Sequence, residues 1–116
     1  MSNVVFIGWN APKVGRERQA GELFGTVVNF WQRHQEQGNI QSFQPVLLRQ
    51  HGGDLNGFFL VTGDNVKLHE IITSEEWIKT QMQVGYCLDG FGVLDGYTGQ
   101  ELMDLMGQWQ QMVSAN

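Results

Sequence analysis

The chain has 116 residues, of which 41% are hydrophobic, 11% aromatic and 16% charged, with 15 Gly and only 2 Pro. This is the make-up of one folded domain over residues 1–116, and it excludes disorder, collagen and repeat scaffolds. Seven Lys and Arg against twelve Asp and Glu give a net charge of −5, a field that repels phosphate backbones and anionic bilayers and argues against nucleic acid or membrane partners. No apolar run approaches the ~18 residues of a membrane span, the start Met1 to Phe6 lacks the regions of a signal peptide, and the single Cys87 can form neither an internal disulfide nor a structural zinc site; a reduced, cytoplasmic protein is expected.

In chain order, Asn3 to Asn10 is a β-branched and aromatic run, apolar at both parities, as expected of a strand in the middle of a sheet. Ala20, Leu23, Phe24, Val27, Val28 and Trp31 then fall on one helical face, predicting a helix from about Val14 or Gly15 to Gln37 with a stop at Gly38-Asn39. Ile40 to Gln50 reads as a strand, and Pro45 within it, having no N–H to give a ladder, assigns it to a sheet edge or a bulge. The turn cluster His51 to Asp54 and the run Leu55 to Thr62 complete a β-hairpin.

Asp64 is placed to cap a short helix from Asn65, and Thr73 with Glu76 forms a capping box that restarts the helical region around Trp77, Ile78, Gln81, Met82 and Tyr86. Asp89 to Tyr97 reads as a glycine-rich strand, and Thr98 with Glu101 as a capping box for a last helix burying Leu102, Leu105, Met106, Trp109, Met112 and Val113.

This order predicts an α+β fold: a ferredoxin-like βαββαβ protomer with an antiparallel sheet, helices over one sheet face and an extra C-terminal helix. The first strand is apolar on both faces, and the hairpin offers Phe58, Leu60 and Phe43 or Leu47 to the face the helices do not reach. That face needs a cover, and a two-fold homodimer packed sheet on sheet supplies it.

The plan, the strand Gly57 to Thr62 running through Gly63-Asp64 into a helix, the segment Ser74-Glu75-Glu76-Trp77 and the run Leu88 to Gly99 together resemble the dimeric α+β barrel superfamily. The resemblance spans nearly the whole chain and is one of pattern. It implies a small-molecule cleft between sheet and helices in each subunit of a homodimer. The superfamily includes antibiotic-biosynthesis-type monooxygenases, heme-degrading monooxygenases, muconolactone isomerases and stress-response proteins, and a shared fold fixes no chemistry among them.

Of the three histidines, His34 sits late in the first helix, where a cation suits the macrodipole, and His51 sits in the hairpin turn; both read as structural. Their spacings match no compact zinc motif, so no metal site is predicted. His69, on a helix expected to border the cleft, is a candidate donor or general base. Heme-degrading members use an Asn, a Trp and a His in that chain order; His69 precedes Trp77 here, so those roles are not carried over. Cofactor-free oxygenases need a dry apolar cavity with a few polar groups that stabilise a substrate anion, for which Trp9, Asn10, Arg49, His69 and Trp77 form the candidate ligand-binding set, with His69 and Arg49 as the candidate catalytic pair. Trp31, Trp77 and Trp109 occur at core spacing, Gly90, Gly92 and Gly96 lack the pattern of a phosphate loop, and Cys87 has no nearby His or Lys to activate it. Two readings of different kinds remain: a homodimer that binds or converts a small organic molecule without a cofactor, in the manner of the monooxygenases and with heme kept as an alternative ligand, or a non-catalytic assembly domain.

Overall fold

The computed structural model describes residues 1–115. Its elements are β1 (Val4–Trp9), β2 (Ala11–Pro12), α1 (Glu17–Glu36), β3 (Ser42–Leu47), β4 (Gly57–Thr62), α2 (Asn65–Ile72), α3 (Glu75–Cys87), β5 (Leu88–Asp89), β6 (Gly92–Gly96) and α4 (Gly99–Ser114). The four long strands form one antiparallel sheet in the order β3-β4-β1-β6, which is ferredoxin-like. As its two-sided apolar pattern requires, β1 is central, and Pro45 lies on the edge strand β3, where a missing N–H costs no ladder bond.

Register sorts the side chains. Ile7 stands between Phe59 and Val93, and Phe6 between Leu60 and Leu94, so odd and even positions of β1 belong to opposite faces. Val5, Ile7, Phe59 and Val61 are at most 3% exposed and join Val27, Phe30 and Trp31 of α1, Leu68 and Ile71 of α2, and Trp77 and Val84 of α3 in one cluster. Helices α1, α2 and α3 therefore cover one face of the sheet. The opposite face carries Phe58 and Leu60, and its β3 row is Ser42, Gln44 and Val46. Phe43 and Leu47, expected as alternatives for that face, stand instead on the helix side, because Phe43 pairs with Val61 and Leu47 with Gly57.

Four local expectations are corrected. The predicted strand from Asp89 to Tyr97 is two strands: β5 pairs with β2 as a separate ribbon, and the chain turns at Gly90 (φ +64°). There a Cβ would lie 2.9 Å from Cβ of Asn10, so the approach of the two segments requires glycine. At the break between α2 and α3 the cap is Ser74, one residue past the expected Thr73: the Ser74 hydroxyl accepts from Trp77 N–H and donates to the Ile71 carbonyl, while the Thr73 hydroxyl is turned back onto the His69 carbonyl. Thr98 precedes α4 as expected but makes no side-chain cap bond; its backbone is held by Asn3, whose side chain accepts from Thr98 N–H and donates to the Thr98 carbonyl. Finally, α4 forms with its apolar stripe intact, yet none of its residues is buried, and Trp109, expected in the core, is 53% exposed. No helix among the described residues is long and apolar enough to cross a membrane.

Candidate functional site

A cleft opens between the helix-covered face of the sheet and the facing sides of α1 and α3, with a cavity volume of about 250 Å³. Its aromatic wall follows from the strand pattern. Trp9 ends β1 on the inner face, and its indole lies across Gly57, where any Cβ would collide with the ring. From there Trp9 meets Phe59 at 5.0 Å and Phe24 of α1 at 6.1 Å, edge to face in the second case, and Phe24 meets Phe59 at 5.3 Å. Phe91, in the turn before β6, closes the far side.

The space exists because α1 is thin where it faces this wall. Ala20 and Gly21 line the cleft, and a Cβ on Gly21 would meet nothing within 4 Å. A glycine inside a helix costs roughly 1 kcal/mol relative to alanine. Aromatic and aliphatic side chains share the lining, and residues with polar groups are few: Glu17 at the start of α1, whose carboxylate accepts a 2.6 Å hydrogen bond from Gly15 N–H, Cys87 at the end of α3, and Trp77.

Trp77 is held at the floor by the Ser74 cap that starts α3 and by packing against Phe30 (5.3 Å) and Trp31 (5.1 Å). It is wholly buried, and its Nε1–H has no hydrogen-bond partner. Trp31 Nε1–H shares that condition, but Trp31 does not line the cleft. A buried donor left unpaired costs on the order of 1–3 kcal/mol.

Of the five residues singled out from sequence, Trp9 and Trp77 meet in this cleft, and Asn10, Arg49 and His69 are not among the residues lining it. Asn10 is engaged in structure: Asn56 Nδ2 donates to its carbonyl and side-chain oxygens at 2.9 and 2.8 Å, and its N–H donates to the Asp89 carbonyl, tying the hairpin loop to the β2–β5 ribbon. Arg49 is exposed beyond the end of β3, and His69 is exposed on α2. None of the three histidines lines the cleft, which leaves it without an imidazole for general base work or for an axial bond to heme. Among the described residues no group of three His, Cys, Asp or Glu side chains is close enough to hold a metal ion. The residues that sequence reasoning left out of the site include Phe24, Phe59, Phe91, Glu17 and Cys87. The pair Ala20-Gly21 on an otherwise amphipathic helix is the signal that points to them.

The other histidines sit in local hydrogen-bond networks. His51 accepts from Gly53 N–H at Nδ1, so Nε2 carries the proton and donates to the Leu55 carbonyl at 2.7 Å. His34 is half-buried beside Phe30 and Asn39, and burial, with the Arg33 guanidinium adding to it and Glu76 opposing it, holds its imidazole below the usual 6.5.

No protein-family model matches the chain, and no curated protein sequence does either. Among solved structures, a conserved protein from Methanosarcina mazei Go1 superposes with a TM-score of 0.62 at 11% identity, covering 85% of this chain and 95% of that one. SnoaB, a cofactor-independent oxygenase from Streptomyces nogalater, superposes with a TM-score of 0.50 at 14% identity, covering 85% and 97%. At these identities the likeness is one of fold.

Proposed function

We propose that the cleft binds a small, largely apolar organic molecule, and that the chain acts there as a ligand-binding protein or as a cofactor-independent enzyme of the dimeric α+β barrel superfamily. The observation that carries this reading is the cavity itself: an apolar cleft of about 250 Å³ walled by Trp9, Phe24, Phe59, Trp77 and Phe91. A packed core leaves no such space, and a concave, mostly apolar cleft with few polar residues is what small-molecule sites look like. SnoaB, which shares the fold, is a cofactor-independent oxygenase.

The open sheet face favours a homodimer packed sheet on sheet, because it presents Phe6, Phe58, Leu60 and Leu94 with no element of the chain over them. If assembly were the only role, a blocked cleft would change nothing. Gly21→Phe projects a ring into the mouth of the cleft without an initial clash, so it tests the point. Saturable binding of an apolar fluorescent probe, 1-anilinonaphthalene-8-sulfonate, followed by tryptophan quenching, is expected in the wild type and lost at least tenfold in Gly21→Phe with the fold retained. Probe binding that is absent in the wild type, or unchanged in the variant, overturns the cleft reading.

A further inference from the structure

Two apolar surfaces of this chain are left uncovered by its own elements. One is the open sheet face, where Val4, Phe6, Val46, Phe58, Leu60 and Leu94 lie side by side in register. No position of β1, β3, β4 or β6 on that face carries a charge: the rest are Gly8, Ser42, Gln44, Thr62, Gly92 and Gly96. The other surface is α4. Leu102, Leu105, Met106, Trp109 and Val113 form one stripe at helical spacing, each between 37 and 53% exposed, with Gln100, Asp104 and Gln111 on the opposite side. A helix of 16 residues containing Gly99 and Gly107 is marginal in water by itself, so the stripe needs a partner surface.

We infer that α4 is an exchanged arm: two copies of this chain associate about a two-fold axis through their open sheet faces, and each α4 lays its stripe on its partner at the rim of that contact. The inference rests on the sheet-face dimer proposed above and adds what α4 does within it. Three observations select a second copy as the occupant.

The first is area. A large apolar side chain offers on the order of 150–200 Å², so five that are about half exposed present roughly 400–500 Å². That falls short of the ~800 Å² per partner that a stable interface buries, so the stripe needs the sheet face beside it in one contact. Under a two-fold axis one contact buries both patches on both chains, because each surface meets the other twice. The second is charge. A net charge of −5 opposes self-association across the surface as a whole, yet the sheet face and the stripe are the regions without charge.

The third is direction. Asn3 clamps Thr98 through hydrogen bonds of 2.9 and 3.0 Å, fixing the root of α4 at the end of β6. From that root the arm stands away from the body. The radius of gyration is 16.2 Å and the longest extent 54 Å, against a radius of about 13 Å for a compact chain of this length.

The test uses the full chain. Light scattering over a dilution series is expected to show a dimer, and Met106→Glu combined with Trp109→Glu to weaken it at least about a hundredfold, with the near-ultraviolet signature of the Trp31–Trp77 core unchanged. If that variant dimerises like the wild type while Leu60→Asp separates the chains, the arm inference fails and the sheet dimer stands. A monomeric wild type overturns both. A second readout is independent of affinity. A spin label at Met106→Cys, in a chain also carrying Cys87→Ala, is mixed with isotope-labelled wild-type chain. Broadening of partner amides is expected, and its absence in a mixed dimer overturns the exchange.

Discussion

The two faces of the sheet are built from neighbouring residues of the same strands and meet opposite fates. Val61 is wholly buried under the helices, while Leu60, one residue earlier on β4, looks out from a face that no element of the chain covers. Hydropathy does not distinguish them. The difference lies in what the rest of the chain supplies: three helices for one side, and for the other no helix or strand, with Leu55 of the hairpin loop reaching only its Gly8 end. Apolar patterning therefore specifies that a surface must be covered, and topology decides whether the cover comes from the same molecule.

The sharpest way to break this comparison is to place one charge on each side. Val61→Asp buries an unpaired carboxylate in the core and is expected to cost roughly 3–5 kcal/mol, enough to unfold much of the protein at 37 °C in a thermal melt. Leu60→Asp is expected to leave the melting temperature of the protomer within a few degrees and to abolish the dimer. Equal destabilisation by the two variants would mean that the open face is part of the protomer's own core.

A smaller effect sharpens the contrast between the packed helices and the arm. Ser74→Ala removes both hydroxyl bonds at the start of α3, beneath Trp77, and is expected to cost about 1 kcal/mol by chemical denaturation. Thr98→Ala, at the equivalent position before α4, is expected to stay within about 0.5 kcal/mol, since the Thr98 hydroxyl makes no cap bond. The smallest expected effect is electrostatic. Folded His34 holds its proton less tightly than the unfolded histidine, for which 6.5 is the ordinary value. The unfolded chain thus binds more protons as pH falls through and below that value. Stability should therefore decline over this window, and His34→Gln should flatten the decline. A steeper decline in the variant would contradict the burial argument.

Much of the fold was legible because its signals are local. The two-sided apolar run of β1 required a central strand, Pro45 required an edge, and Asp64 caps α2 through Lys67 N–H as read. The division of the segment after α3 was not legible, since it depends on a two-residue partner, β2, brought from elsewhere in the chain. For α4, periodicity gave the helix and its apolar side, but periodicity is silent on what lies opposite. The site divides in the same way. Trp9 and Trp77 were legible as aromatics on the predicted first strand and second helical region. The hydrogen bonds from Asn56 that occupy Asn10, and the exposed position of His69 one step around α2 from buried Leu68, exist only in three dimensions.

On the reading proposed above, one face of the sheet encloses a small-molecule cleft within the chain, while the other, with α4, is completed by a second copy. Native mass spectrometry of the 116-residue chain at micromolar concentration decides the second half of this. The account predicts a dimer that dissociates when Leu60 is replaced by Asp; a monomeric wild-type chain would contradict it.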